Sequence, residues 1–470
     1  MLIKAYDVRG VVPDDLDERV ARALGAAFAH VVRVDDADAA PNLRRVVVGH
    51  DMRPSSPSLS RAFAEGVAAT GADVTMIGLC STDGLYYASG VLDSPGAMFT
   101  ASHNPAQYNG IKLCRAGARP VGQDTGLVEL RELAERYLDA GVPAGPPTGA
   151  ITEQDLLAGY AGYLRGLVDL SAGRALKVVV DAGNGMGGFT VPAVLEQGAG
   201  LPALPLTVVP LYFELDGTFP NHEANPLDPA NLVDLQRAVV EQGADIGLGF
   251  DGDADRCFVI DERGDPVSPS AVTALVAARE IAKERAAGRE AVVIHNLISS
   301  RAVPEIIREA GGTAVRTRVG HSFIKAQMAA EQAVFGGEHS AHYYFRDFWF
   351  ADTGMLAAMH VLAALGEQQA PLSQFAADYE RYVASGEINS AVDDVAARTA
   401  AVREAFAVDG VVVDELDGTT LTLDDAEGRP QWWLNLRASN TEPLLRLNVE
   451  AADSAIMQQV RDRALAIIRA

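Results

Sequence analysis

Lysine is scarce in this chain. Only five occur, at positions 4, 112, 177, 283 and 325, against 34 arginines. Cysteine is scarcer still: Cys80, Cys114 and Cys257 are odd in number, far apart and in no CxxC pair. That suggests reduced thiols and a cytoplasmic protein. Positive charge is also in deficit, with a formal net charge of −24 and a pI near 4.7. Nucleic acid and anionic membranes need clustered cations, so neither is expected as a partner. No apolar run reaches the ~18 residues of a membrane span, and MLIKAYDVRG has no apolar targeting core, so a soluble cytoplasmic protein is expected.

What is present is a large apolar content, 48%, spread over 470 residues. That is more than one hydrophobic core usually serves, so about three or four domains are expected. One plan recurs three times. RRVVVGHD (44–51) is followed by the helical pattern SLSRAFAEGVAATG and the strands ADVTMIGL and GAMFTASH. The order returns from LKVVVDAGNG, through PALPLTVVP, to DIGLGFDGD, and again from EAVVIHNL through AVPEIIREAGG and TAVRTRV to AVFGGEHS. Buried β-branched runs alternating with helices predict α/β layers. After about residue 382 the pattern becomes strands with turns and a terminal helix, a smaller α+β domain. Linkers are expected near GVPAGPPTGA (141–150) and DERGDP (261–266).

Each third strand ends in a polar loop: TASHNP, DGDADR, GEHSAH. Ligands of open α/β sheets gather beyond the carboxyl ends of strands, so the three loops are expected to line one cleft. In DGDADR, Asp251, Asp253 and Asp255 alternate, which in extended backbone turns all three carboxylates to one side. A hard cation with oxygen ligands, Mg²⁺ foremost, relieves their repulsion. An EF-hand is excluded, because its sixth position needs glycine and here holds Arg256; the bland alternative is a solvated acidic turn. Ser102 reads either as a turn or helix cap or as a phosphoryl carrier, with His103 or Lys112 moving protons. Glu338, Ser340 and His342 suit sugar hydroxyls, or form an ordinary polar loop. Arg437, Ser439, Asn440, Thr441 and Arg446 suit phosphate oxygens, or form a hairpin turn. His321 and Lys325 follow a strand, and His321 reads equally as a structural histidine. GNGMGG (183–188) fits a dinucleotide fingerprint, but the acidic residue expected after the next strand is missing.

Taken in order, TASHNP, DGDADR, GEHSAH and RASNTEP resemble the α-D-phosphohexomutase superfamily, its bacterial phosphomannomutase/phosphoglucomutase branch above all. YDVRG, HDMRPSS, DGTFPNHEANPL and VGHSFIK add to the likeness across the whole chain. The resemblance implies four domains around a central cleft, three similar mixed-sheet α/β units and a smaller C-terminal α+β domain, with boundaries expected at 1–147, 148–264, 265–381 and 382–470. It implies a phosphoserine at Ser102, and Mg²⁺ held by Asp251, Asp253 and Asp255 together with Ser102. Glu338 and Ser340 then contact sugar hydroxyls. The loop of Arg437, Ser439, Asn440 and Thr441 holds the non-reacting phosphate. Tyr6, Arg9, Lys112, His321 and His342 take further active-site positions, and Arg256 adds positive charge. The implied reaction converts hexose 1-phosphate to hexose 6-phosphate through a 1,6-bisphosphate that reorients and also serves as activator, with Lys112 favoured as base. Phosphoglucosamine mutase, an idle sugar-phosphate binder and a simple phosphatase remain as alternatives. A monomer or weak homo-oligomer is expected. Two positions depart from the family: Ala341, where glycine is common and whose Cβ opposes positive φ, and Ala254, expected to matter less.

Overall fold

The computed structural model describes residues 7–34, 44–142, 149–438 and 444–470. They form two compact units. The first comprises residues up to Val267 with Met328–Phe335 and Ser340–Phe375; the second comprises Ser268–Gln327, Gly336–His339 and Ala376–Ala470.

The first unit holds two complete mixed sheets. In one, the strands run in the order Val8–Val11, Tyr108–Arg115, Gly96–Phe99, Arg45–His50, Asp73–Leu79, Ile151–Glu153. The last four are parallel to one another, and Tyr108–Arg115 runs antiparallel to both its neighbours. The run VVV at 46–48 shows why this strand reads as continuously apolar. Val46 and Val48 enter one core with helices Glu18–Val31 and Ser56–Ala69, while Val47 faces the other side with Leu85 and Ala88 of helix Thr82–Val91. Alternation along a strand covered on both faces leaves no polar position. The second sheet, Pro266–Val267, Cys257–Asp261, Ile246–Phe250, Leu176–Asp181, Leu206–Leu211, is parallel in its last three strands and antiparallel in its first two.

A third sheet has five strands. Strands Val292–Asn296 and Thr313–Thr317 pair in parallel, and strands Tyr343–Phe345 and Ala351–Asp352 pair antiparallel. The C-terminal sheet is wholly antiparallel and is backed by helices Val395–Ala405 and Ser454–Ile468 over Leu434, Leu445 and Leu447. Three α/β sheets and one α+β sheet match the expected fold class.

DERGDP forms a hairpin turn, in which Asp261 accepts from the backbone of Arg263 and Asp265. Lys112 lies within strand Tyr108–Arg115. Positions 143–148 of the other expected linker lie outside the described residues. Among the described residues no helix is long and apolar enough to cross a membrane. The three cysteines are buried and unpaired with one another.

Candidate active site

Ser102 sits three residues past strand Gly96–Phe99, buried, with φ of 48°. A left-handed backbone costs a non-glycine residue about 1 kcal/mol. What holds it there is Arg53, whose side chain is fully buried and donates to the carbonyls of Ser102 at 2.8 Å, Asn104 at 2.7 Å, Pro105 at 3.0 Å and Tyr108 at 2.9 Å. Asp51 balances its charge at 3.3 Å. Arg53 thus gathers the whole Ser102 loop onto one planar fork, a geometry that guanidinium permits and ammonium does not.

The Ser102 hydroxyl donates to Asp251 Oδ2 at 2.8 Å, with His103 Nδ1 at 3.2 Å and Arg256 Nη2 at 3.4 Å. Asp251, Asp253 and Asp255 follow strand Ile246–Phe250 and offer oxygens that lie within 4.8 Å of one another. They converge for a reason other than the one expected. The segment is not extended but turned, with Ala254 at φ 58° and its N–H bonded to Asp251 O at 3.0 Å. Ala254 therefore matters as much as Ala341, which adopts φ 64° despite its Cβ. Gly252 in this turn is required: a Cβ there would stand 2.4 Å from the Ser102 carbonyl oxygen. The GNGMGG glycines serve the same close packing. A Cβ on Gly185 would lie 2.7 Å from Gly252 O, and Met186 N–H donates to that oxygen at 2.9 Å.

Charge balance in the cluster is local. Lys112 Nζ donates to Asp253 at 2.7 Å and also to Asp255. Arg256 pairs with Asp251 through Nε at 2.9 Å and also contacts His103. Thr82, at the start of helix Thr82–Val91, donates its hydroxyl to Asp253 Oδ2 and its N–H to Asp253 O, setting a helix N-terminus against the carboxylate. Burial raises Asp251, to about 7, against the opposing pull of Arg256. For Asp253 and Asp255 burial also works upward, but Lys112 outweighs it and both fall below the usual value. Burial works to lower Lys112, yet Asp253 and Asp255 raise it well above its usual range. In this arrangement Lys112 is the counter-ion of Asp253 and Asp255. Burial first and then Arg256 push His103 down to about 2, so its imidazole is neutral.

Other expected residues join this centre within the first unit. Arg9 bonds Asn104 of the serine loop and Asp7 at 2.6 Å. His342 forms an isolated backbone bridge with Arg256; its Nε2 lies 3.7 Å from Asp255, and its Nδ1 meets the Ser340 hydroxyl at 3.2 Å. In the second unit, Lys325 and Glu338 are buried. Arg437 and Arg446 stand opposite each other on neighbouring strands and share Glu387, at 3.4 and 3.2 Å. Arg437 also lies 3.9 Å from Asp417, so two carboxylates hold the two guanidiniums. Tyr6, Ser439, Asn440, Thr441 and the side chain of His321 lie outside the described residues. Reading the sequence missed Arg53, Asp51 and Thr82 as site-building residues. HDMRPSS was visible as a motif, but nothing local said that its arginine reaches a loop about fifty positions on.

Whether a metal fits can be tested on the oxygens themselves. Asp253 Oδ1 and Asp255 Oδ1 are buried and make no hydrogen bond. Dry, unsatisfied carboxylate oxygens beside a third carboxylate are the donor set a hard divalent cation takes.

Family models match the chain in four consecutive blocks. Phosphoglucomutase/phosphomannomutase alpha/beta/alpha domains I, II and III match residues 1–137, 158–264 and 269–382, and the C-terminal domain of the same family matches 387–467. The chain belongs to the phosphoglucomutase/phosphomannomutase family. A protein of Xanthomonas campestris described as phosphohexose mutases is 40% identical over 460 residues, covering 97% of this chain and 96% of the relative. A Salmonella typhimurium phosphomannomutase is 37% identical over 471 residues, covering 98% and 97%. Among solved structures, a phosphoglucomutase/phosphomannomutase family protein from Burkholderia thailandensis superposes with a TM-score of 0.84 at 30% identity, covering 100% of this chain and 97% of that one.

Proposed function

We propose that this phosphohexomutase interconverts hexose 1-phosphates and hexose 6-phosphates, mannose foremost and glucose with it, by passing a phosphoryl group through Ser102. The observation that carries the reading is the seating of the Ser102 hydroxyl between Asp251 and Arg256, in a buried centre of three carboxylates. In the forward half-reaction the bond between Ser102 Oγ and phosphorus breaks, and a new bond forms to the free sugar hydroxyl. That hydroxyl loses its proton to Lys112 acting as base with a histidine assisting, and Ser102 Oγ takes up a proton as it leaves. The resulting 1,6-bisphosphate turns over and returns its other phosphoryl group to Ser102, which is also why a bisphosphate activates. Such transfers need alignment and charge stabilisation more than covalent help. Arg256 supplies fixed positive charge beside Ser102. Mg²⁺ on Asp251, Asp253, Asp255 and the Ser102 phosphoryl group would neutralise further charge on the transferring group. Arg437 and Arg446 bind the phosphate that does not react, with Ser439, Asn440 and Thr441 of the same loop. Glu338 and Ser340 bind sugar hydroxyls, and Tyr6, Arg9, His321 and Lys325 complete the substrate contacts.

The test is ³¹P NMR of the purified protein with Mg²⁺, mannose 1-phosphate and a trace of hexose 1,6-bisphosphate. Growth of the 6-phosphate signal without inorganic phosphate is expected, and Ser102→Ala should abolish it. Release of inorganic phosphate would make the protein a phosphatase. Conversion of glucosamine 1-phosphate but not mannose 1-phosphate would move it to the amino-sugar branch.

A further inference from the structure

The second unit contains a cavity of ≈ 350 Å³ that shares no residue with the centre described above. Strands Val292–Asn296 and Thr313–Thr317, helix Ala302–Glu309 and the C-terminal sheet wall it. Its size is that of a small-ligand pocket. Its chemistry is unusual for so acidic a chain, because three guanidiniums line it: Arg301, Arg308 and Arg316. Arg301 pairs with Asp424 and Arg316 with Asp414, neither acid being among the lining residues. Arg308 has no side-chain partner among the described residues. The one acid in the lining, Glu305, is engaged by the Tyr382 hydroxyl at 2.8 Å and by Arg381.

The remaining polar groups refine the ligand. His295 is buried, and its pKa falls to about 4 through burial, with Arg316 and Arg308 adding to the fall. Those two contributions report a positive field at the cavity wall. The neutral ring meets Asn296 O through Nδ1 at 3.1 Å, so the proton is on Nδ1 and Nε2 is left as an acceptor. An acceptor in a cavity that three guanidiniums line calls for a ligand with both an anionic group and a hydroxyl donor. Thr420 and Thr422, on the opposite wall, offer hydroxyls of their own.

We infer that this cavity is a second ligand site, for a small phosphorylated sugar or polyol, with the phosphate on Arg301, Arg308 and Arg316 and a hydroxyl on His295. A ligand seated there bridges helix Ala302–Glu309 to strand Thr419–Asp424, alongside the Arg301–Asp424 pair. Because the C-terminal sheet also carries Arg437 and Arg446, occupancy acts on the sheet that bears them.

The test is calorimetric titration of ribose 5-phosphate and of inorganic phosphate into the full chain at constant ionic strength. Wild type should show two sites per chain for ribose 5-phosphate. Arg308→Glu should weaken one of them at least tenfold, the loss expected when a charge-assisted contact becomes a repulsion, while kcat without added ligand stays within twofold. Arg437→Ala should weaken only the other. Inorganic phosphate, lacking the hydroxyls, should bind the Arg308-dependent site more weakly than ribose 5-phosphate does. Equal stoichiometry and affinities within twofold in wild type and Arg308→Glu would overturn the site. Equal affinity of inorganic phosphate at the Arg308-dependent site would overturn its assignment to a sugar phosphate and leave a bare anion site.

Discussion

Replacing Arg53 by lysine tests the account of how Ser102 is presented. The charge is kept, so Asp51 retains a counter-ion, but three ammonium donors cannot serve four carbonyls and a carboxylate. At least two buried acceptors are left dry, at about 1–3 kcal/mol each, for a local loss of roughly 2–6 kcal/mol. Since one of the four carbonyls is that of Ser102 itself, at 2.8 Å, part of the loss falls on the left-handed turn that aims the hydroxyl. If about a third does, roughly 1–2 kcal/mol of misalignment lowers kcat some five- to thirtyfold, with KM little changed, because Arg53 is buried beneath the loop and is expected to make no substrate contact. Steady-state kinetics should be read beside intact-mass measurement of Ser102 phosphorylation and a thermal melt. A variant that melts lower but keeps kcat within twofold of wild type would refute the reasoning. Arg53 would then be a scaffold residue and no more.

Gly252→Ala places a methyl carbon 2.4 Å from the Ser102 carbonyl oxygen, and backbone on both sides prevents relief; kcat should fall at least tenfold, and unchanged kcat would show that the two loops part easily. Lys112→Gln removes the cation that Asp253 and Asp255 now share, so Mg²⁺ affinity measured by calorimetry should rise about tenfold or more even as turnover drops; weaker Mg²⁺ binding would count against the competition. Chelation with EDTA should abolish turnover, and Mg²⁺ should restore it. His295 stays neutral in the fold down to about pH 4, while the unfolded chain takes up its proton near 6.5. The unfolded state binds more protons between those values, so stability is lost as pH falls, about 1.4 kcal/mol by about pH 5.5. His295→Gln should flatten that slope in thermal melts, and an unchanged slope would place the titration elsewhere.

Much of this was legible because strands and loops announce themselves locally. RVVVGH, DIGLGF and the polar loops after them carry their own periodicity, and four motifs in order were enough to name a family. The carboxylate triad shows where local reading stops. Alternation of Asp251, Asp253 and Asp255 pointed to the right cluster through the wrong backbone, because the turn depends on Ala254 accepting positive φ, which β-strand periodicity does not foretell. Lys112 follows Asn-Pro and Asn-Gly, which locally read as turn, yet pairing with Val8–Val11 and Gly96–Phe99 draws it into a strand. Its role as a counter-ion depends on carboxylates about 140 positions away, as Arg53 depends on a loop about fifty away. Contacts of that range are set by the assembled fold.

Three non-glycine residues, Ser102, Ala254 and Ala341, take left-handed backbone at φ 48°, 58° and 64°, each just past the end of a strand at the corresponding place in its own α/β segment. The pattern is what three copies of one ancestral turn would leave behind, its shape inherited while its side chains diverged into a serine hydroxyl, a carboxylate cluster and a histidine-bearing polar loop. Duplication on this view supplied the enzyme with a corner that tips side chains off the end of a sheet, and the division of labour among the copies came afterwards.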